Sequence, residues 1–209
     1  MYRKKLKAVS FAEIIIAVVI LAVVAGFTIP TVIQDLQLAH YKALWKNFYT
    51  DFTTVHAKLA ASNRGTVKNL FTNSTQMVNL YGNHLNYLTK CIGTSECWHA
   101  SNTYYGLNGS PDPSAWFYGF VLNNGILIAM TIPSTDCSNT PFGIPSCFEM
   151  LVDVNGFKGP NTYGKDIFII YVQEHNIKPA GCVGSNSSHA DTCSPDKSGV
   201  SCSTEYLKQ

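Results

Sequence analysis

Val9-Ser10-Phe11-Ala12-Glu13-Ile14-Ile15-Ile16-Ala17-Val18-Val19-Ile20-Leu21-Ala22-Val23-Val24-Ala25-Gly26-Phe27-Thr28-Ile29-Pro30 is the stretch that organises this chain. Glu13 is its only charge, and Pro30 closes it seventeen residues later. At ~1.5 Å of helix rise per residue, the 21 positions from Val9 to Ile29 are long enough to cross a bilayer. A carboxylate in hydrocarbon costs on the order of 3 kcal/mol or more, so Glu13 needs a partner. The cations lie just outside the run, at Arg3, Lys4, Lys5 and Lys7. Such a basic leader, residues 1–8, stays in the cytoplasm and sends everything after Pro30 outside.

Downstream the apolar period becomes one-sided. Tyr41, Trp45, Phe48, Phe52, Val55 and Leu59 recur at steps of three and four, which predicts an amphipathic helix over residues 31–65. Gly65 ends it as a left-handed cap. Pro30 removes a backbone hydrogen bond, so a bend or local melting is expected near residues 26–30, eased by Gly26. His40 and His56 lie among polar neighbours and read as solvated. Residues 66–209 then form the remaining globular domain. Met77, Leu80, Tyr81, Leu85 and Leu88 predict a second helix capped by Ser74. Trp116–Leu122 and Ile126–Ile132 flank Asn123-Asn124-Gly125, a hairpin signal. Phe148–Val154 and Asp166–Val172 are further strands. A long helix whose stripe is covered by an antiparallel sheet is an α+β fold.

Charged residues make up 13% of the chain, and seven cysteines are many for a cytosolic protein, so an exported domain is expected. The formal charge of +2 owes four basic residues to the leader. Without it, 11 basic face 13 acidic side chains, a balance of −2 that offers nothing to a nucleic-acid partner. Nucleotide-loop, nucleophile-elbow and zinc-helix motifs are absent, and the six histidines are scattered, so the expected protein is not an enzyme. Short spacings make Cys91–Cys97 and Cys137–Cys147 local bridges. One more pair is expected among Cys182, Cys193 and Cys202, with Cys182 and Cys202 as the candidates. An odd thiol then remains, free or pairing between subunits.

The segment Met1–Pro30 resembles the leader and first helix of type IV prepilins and type II secretion pseudopilins. Lys7-Ala8-Val9-Ser10-Phe11-Ala12-Glu13 matches the junction and the Glu13 to Pro30 interval matches the spacing. Ala8 and Val9 stand where the family usually has Gly and Phe. The resemblance implies cleavage between Ala8 and Val9 by a prepilin peptidase, N-methylation of the new amine, and a pilin-like fold. It also implies polymerisation through the helix, with the amine of one subunit pairing with Glu13 of the next. At an effective dielectric of 20, charges 4 Å apart attract by roughly 4 kcal/mol, enough to offset burial of the acid. The implied partners are other pilin subunits, the peptidase, inner-membrane lipid and an assembly platform. The implied location is the bacterial inner membrane, with the domain outside, and then a periplasmic or extracellular filament.

Asp153-Val-Asn155-Gly156-Phe-Lys-Gly159-Pro160-Asn161-Thr-Tyr-Gly164-Lys-Asp166 resembles a stretch near the C-terminal end of many prepilin-like proteins. Some major pseudopilins hold calcium in a comparable loop, so Asp153, Asn155, Asn161 and Asp166 are candidate Ca²⁺ ligands by resemblance. Their spacing is not that of an EF-hand. A long turn in which Asn and Asp bond their own backbone is the other reading. Two further alternatives stand beside the assembly subunit. One is a membrane-tethered binding domain using Trp98, Tyr104, Tyr105 and Trp116. The other is a domain released by signal peptidase after Val23-Val24-Ala25.

Overall fold

The computed structural model describes residues 10–185, 189–190 and 192–208. The chain divides into two compact units, residues 1–40 and 41–209. Helix α1, Phe11–Ala61, provides all the regular structure described in the first unit and the first element of the second.

In the first unit the large apolar side chains of α1 from Ile14 to Ile29 are exposed. By length and composition it can cross a membrane. The helix runs unbroken through Pro30, so the local melting expected near residues 26–30 does not occur. Proline removes only one donor, and nearby threonines add bonds of their own. Thr28 Oγ1 donates to Val24 O at 3.0 Å and Thr31 Oγ1 to Thr28 O at 2.9 Å.

The second unit is a six-stranded antiparallel meander. Its strands, in spatial as in chain order, are β1 (Tyr87–Ile92), β2 (Tyr118–Leu122), β3 (Leu127–Met130), β4 (Phe148–Asp153), β5 (Ile167–Val172) and β6 (Ile177–Pro179). Gly125, at φ +88°, closes the β2–β3 hairpin, and its N–H donates to Leu122 O at 2.9 Å. Both faces of the sheet are covered, so every residue of β4 and β5 is buried. That explains why these strands read as apolar runs rather than as alternating patterns.

One face meets the helices. Trp45 stacks on Phe168 with ring centroids 4.6 Å apart, and Tyr81 meets Phe148 edge-on at 5.5 Å. Phe48, Phe52, His56 and Leu59 complete the buried stripe of α1. On the other face Leu127, Leu151, Ile167, Ile169 and Tyr171 form a core with Trp98, Tyr104, Tyr163 and Val200, which loops and tail supply. Antiparallel register places Leu151 opposite Ile169 and Glu149 opposite Tyr171 on that second face.

Three local expectations change. The second helix, α2, spans Ser74–Gly82, and its N-cap is Asn73, whose Oδ1 accepts from Gln76 N at 2.9 Å. Leu88 belongs to β1 instead, because pairing of Tyr87–Ile92 with β2 overrides helical spacing. The short β6 and helix α3, Cys202–Lys208, lay in a segment too polar to announce them. Long-range bonds order α3. Trp45 Nε1 donates to Ser203 O at 3.0 Å, Ile169 N to Ser203 Oγ at 2.9 Å, and Thr204 Oγ1 to Ala180 O at 2.7 Å.

Candidate functional site

At the start of α1, Ser10 N donates to Glu13 Oε2 at 2.8 Å and Glu13 N to Ser10 Oγ at 3.2 Å. This reciprocal pair is a capping box, and its Ser-x-x-Glu signature is present in the sequence. Glu13 therefore has a local role in the single chain, satisfying a backbone donor that the helix leaves open. Among the described residues only its Oε2 is engaged. Ala8 and Val9, the expected processing positions, lie outside the described residues. Pro30 sits inside the helix, on the same exposed apolar segment.

Asp153, Asn155, Asn161 and Asp166 are brought together by the β4–β5 connection. Asp153 Oδ1 accepts from Asn155 N and Gly156 N, both at 2.9 Å. Asp166 accepts from Thr162 N at 2.7 Å, Asn161 N at 2.9 Å and Asn155 Nδ2 at 3.1 Å. Both carboxylates are fully buried. Burial pushes the Asp153 carboxyl above its ordinary value, against His99 and two backbone amides that pull it down. Burial, together with the Asp153 charge, raises Asp166 to about 6. The amide-bonded turn is thus what the polypeptide itself builds. The carbonyl oxygens Asn155 Oδ1 and Asn161 Oδ1 are buried without a partner, and oxygens of this kind suit Ca²⁺ in donor type. Among the described residues there is no group of three or more His, Cys, Asp or Glu side chains placed to hold a metal.

Sequence reasoning missed the fifth member of this turn. His99 Nε2 lies 2.8 Å from Asp153 Oδ2, with both side chains buried. Nothing local could have revealed it, since the two residues are 54 positions apart. His56 also departs from expectation. It is 1% exposed, with Nδ1 2.9 Å from the Tyr81 hydroxyl, and burial lowers its pKa to about 4. Its polar sequence neighbours face away, while the ring completes the apolar stripe.

The structure bonds Cys91 to Cys97, Cys137 to Cys147 and Cys193 to Cys202, leaving Cys182 free. The pairing of Cys182 with Cys202 is therefore corrected. Thr192 N donates to Ser201 Oγ at 2.7 Å and Ser201 N to Thr192 Oγ1 at 2.9 Å, which sets the next residues, Cys193 and Cys202, side by side. The aromatics offered for ligand capture are largely structural. Trp98 and Tyr104 are core, Trp116 is half-buried with Nε1 donating to Tyr104 OH at 2.8 Å, and only Tyr105 is exposed.

What these features can do follows from their chemistry. The helix start can exchange its local carboxylate bond for a stronger cation. The acidic turn can rigidify the β4–β5 connection, and the disulfides can hold loops on the second sheet face. No family model, curated protein or solved structure matches the chain.

Proposed function

We propose that this chain is a pilin- or pseudopilin-type assembly subunit. On this reading it is cleaved before Val9, N-methylated there, and polymerised through the first part of α1 into a filament for surface pili or protein secretion. The carrying observation is an exposed apolar helix with one acid at its head, continuous with a helix whose later residues build a domain core. Apolar side chains left exposed over that length need lipid or other helices around them. A pilin-like assignment of the helix-on-meander domain belongs to the same proposal, as do the inner-membrane origin and the peptidase and platform partners.

The capping box sharpens the test. Glutamine at the third helical position also closes such a box, so Glu13→Gln removes the charge and keeps the cap, whereas Glu13→Ala removes both. The expected result in the expressing bacterium is a mature chain starting at N-methyl-Val9, with polymer lost in both variants and the domain folded. Polymer formation by Glu13→Gln at the wild-type level overturns the assembly reading. An intact Met1 or a start at Gly26 favours a tethered or released domain instead.

Calcium in the acidic turn is a second proposal, motivated by the unpartnered Asn155 and Asn161 carbonyls. A melting temperature that rises with CaCl₂ and falls with EDTA supports it. Identical melting in the two rules it out.

A further inference from the structure

β4 buries two acids, and unlike Asp153, which is bonded on both oxygens, Glu149 has no partner for its carboxyl group among the described residues. It sits in a central strand, 9% exposed, between two apolar neighbours. Its backbone is fixed by Thr131, whose N–H donates to Glu149 O at 2.9 Å and whose Oγ1 accepts from Glu149 N at 2.8 Å. Among the described residues its carboxyl group has neither a hydrogen-bond donor nor an ion-pair partner. Its oxygens are therefore left to water or to a ligand.

Glu149 lines a cleft of about 500 Å³ on the sheet face that Leu151 and Tyr171 share. That size suits a small-molecule or side-chain site. A second carboxylate, Asp112, lines the same cleft and is locked in place, accepting from Ser114 N at 2.8 Å and Tyr163 OH at 2.9 Å. Trp116 and Phe142 supply aromatic walls, and Trp116 is held by its bond to Tyr104. Ser198, on the same lining, has a buried hydroxyl with no partner. Among the described residues no Lys or Arg lines the cleft. His189, also on the lining, is shifted toward its neutral form by burial, and its Nδ1 meets the Tyr171 hydroxyl.

We propose that this cleft is a binding site for an alkylammonium group, seated between Glu149 and Asp112 with its aliphatic stem against Trp116 and Phe142. Two carboxylates facing one cavity without a cation between them call for a positive ligand. Aromatic walls select an organic cation over a hydrated metal ion, because they attract it through the ring face. Among the described residues no group of three or more His, Cys, Asp or Glu side chains is placed to hold a metal ion. The ammonium can arrive on a free amine or on a lysine side chain of another protein. The inference does not depend on filament assembly.

The test is calorimetric titration of the full-length chain in detergent micelles, with blanks into micelles alone. The probes are n-pentylammonium chloride, the tripeptide Gly-Lys-Gly with acetylated and amidated termini, and Gly-norleucine-Gly capped in the same way as the uncharged control. Saturable binding of an ammonium probe, absent for the norleucine peptide and at least tenfold weaker in Glu149→Gln, is the expected result. A tenfold preference for Gly-Lys-Gly assigns the site to protein lysines, and the reverse preference to free amines. Absence of binding, equal binding of the control, or undiminished binding by Glu149→Gln overturns the proposal. Should that variant fail to fold by circular dichroism, Asp112→Asn decides in the same way.

Discussion

His99 Nε2 and Asp153 Oδ2 are 2.8 Å apart, and both side chains are withdrawn from solvent. The pair joins the loop after β1 to the end of β4, so it ties the acidic turn to the core on the second sheet face. Removing the imidazole leaves a buried carboxylate facing a void. His99→Ala is expected to cost about 3 kcal/mol in urea denaturation, as for other buried pairs broken on one side. Asp153→Asn combined with His99→Ala should cost less than the sum of the single changes, because neither residue then strands the other.

Glu149 and His56 impose opposite pH slopes on stability. Burial, with Asp112 nearby, raises the Glu149 carboxyl from 4.5 to about 7, and Tyr163, Tyr171 and His189 are the other titratable groups around it. Its folded pKa lies above its unfolded one, so its favourable contribution is complete below pH 4.5 and is lost as pH rises through 7. His56 is lowered from 6.5 to about 4, so its contribution is present above pH 6.5 and is lost as pH falls through 4. Each span corresponds to about 3 kcal/mol at most. Glu149→Gln is therefore expected to melt higher than wild type at pH 8 and alike at pH 4. A wild-type advantage at pH 8 is the contrary outcome.

Cys182 is the single thiol outside a disulfide. Mass analysis after denaturation in iodoacetamide without reductant should show one added alkyl group, mapped to Cys182. Cys193→Ser should lower stability by roughly 2–3 kcal/mol, the loop-closure value for a short disulfide loop. Cys182→Ser should change it by less than about 0.5 kcal/mol.

Trp45 links α1 to both β5 and α3, stacking on Phe168 and donating to Ser203 O. Trp45→Ala should cost about 4 kcal/mol, mostly lost burial and the cavity left behind. Trp45→Phe keeps the stack and loses the bond to Ser203, for about 1 kcal/mol. Equal losses in the two variants would mean that packing on Phe168 contributes little.

The long apolar helix, its amphipathic continuation, the β2–β3 hairpin and strands β4 and β5 were legible in the residues alone. Each is a local periodicity or a turn signal, and neighbours in sequence suffice to state it. Short spacing suffices for the local bridges of Cys91 with Cys97 and of Cys137 with Cys147, and the structure pairs them so. The capping box at Ser10 and Glu13 is equally local, a Ser-x-x-Glu signature carried by four consecutive residues.

The rest depended on which strands meet and which faces are covered. Only the register of β4 with β5 places Glu149 and Asp153 on the loop-covered face, and only the fold returns His99 to Asp153 across 54 positions. The partner of Cys202 was set by hydrogen bonds between Thr192 and Ser201. Periodicity reports how a side chain stands relative to its own backbone; what it meets there is decided by long-range pairing, which leaves no trace in local spacing.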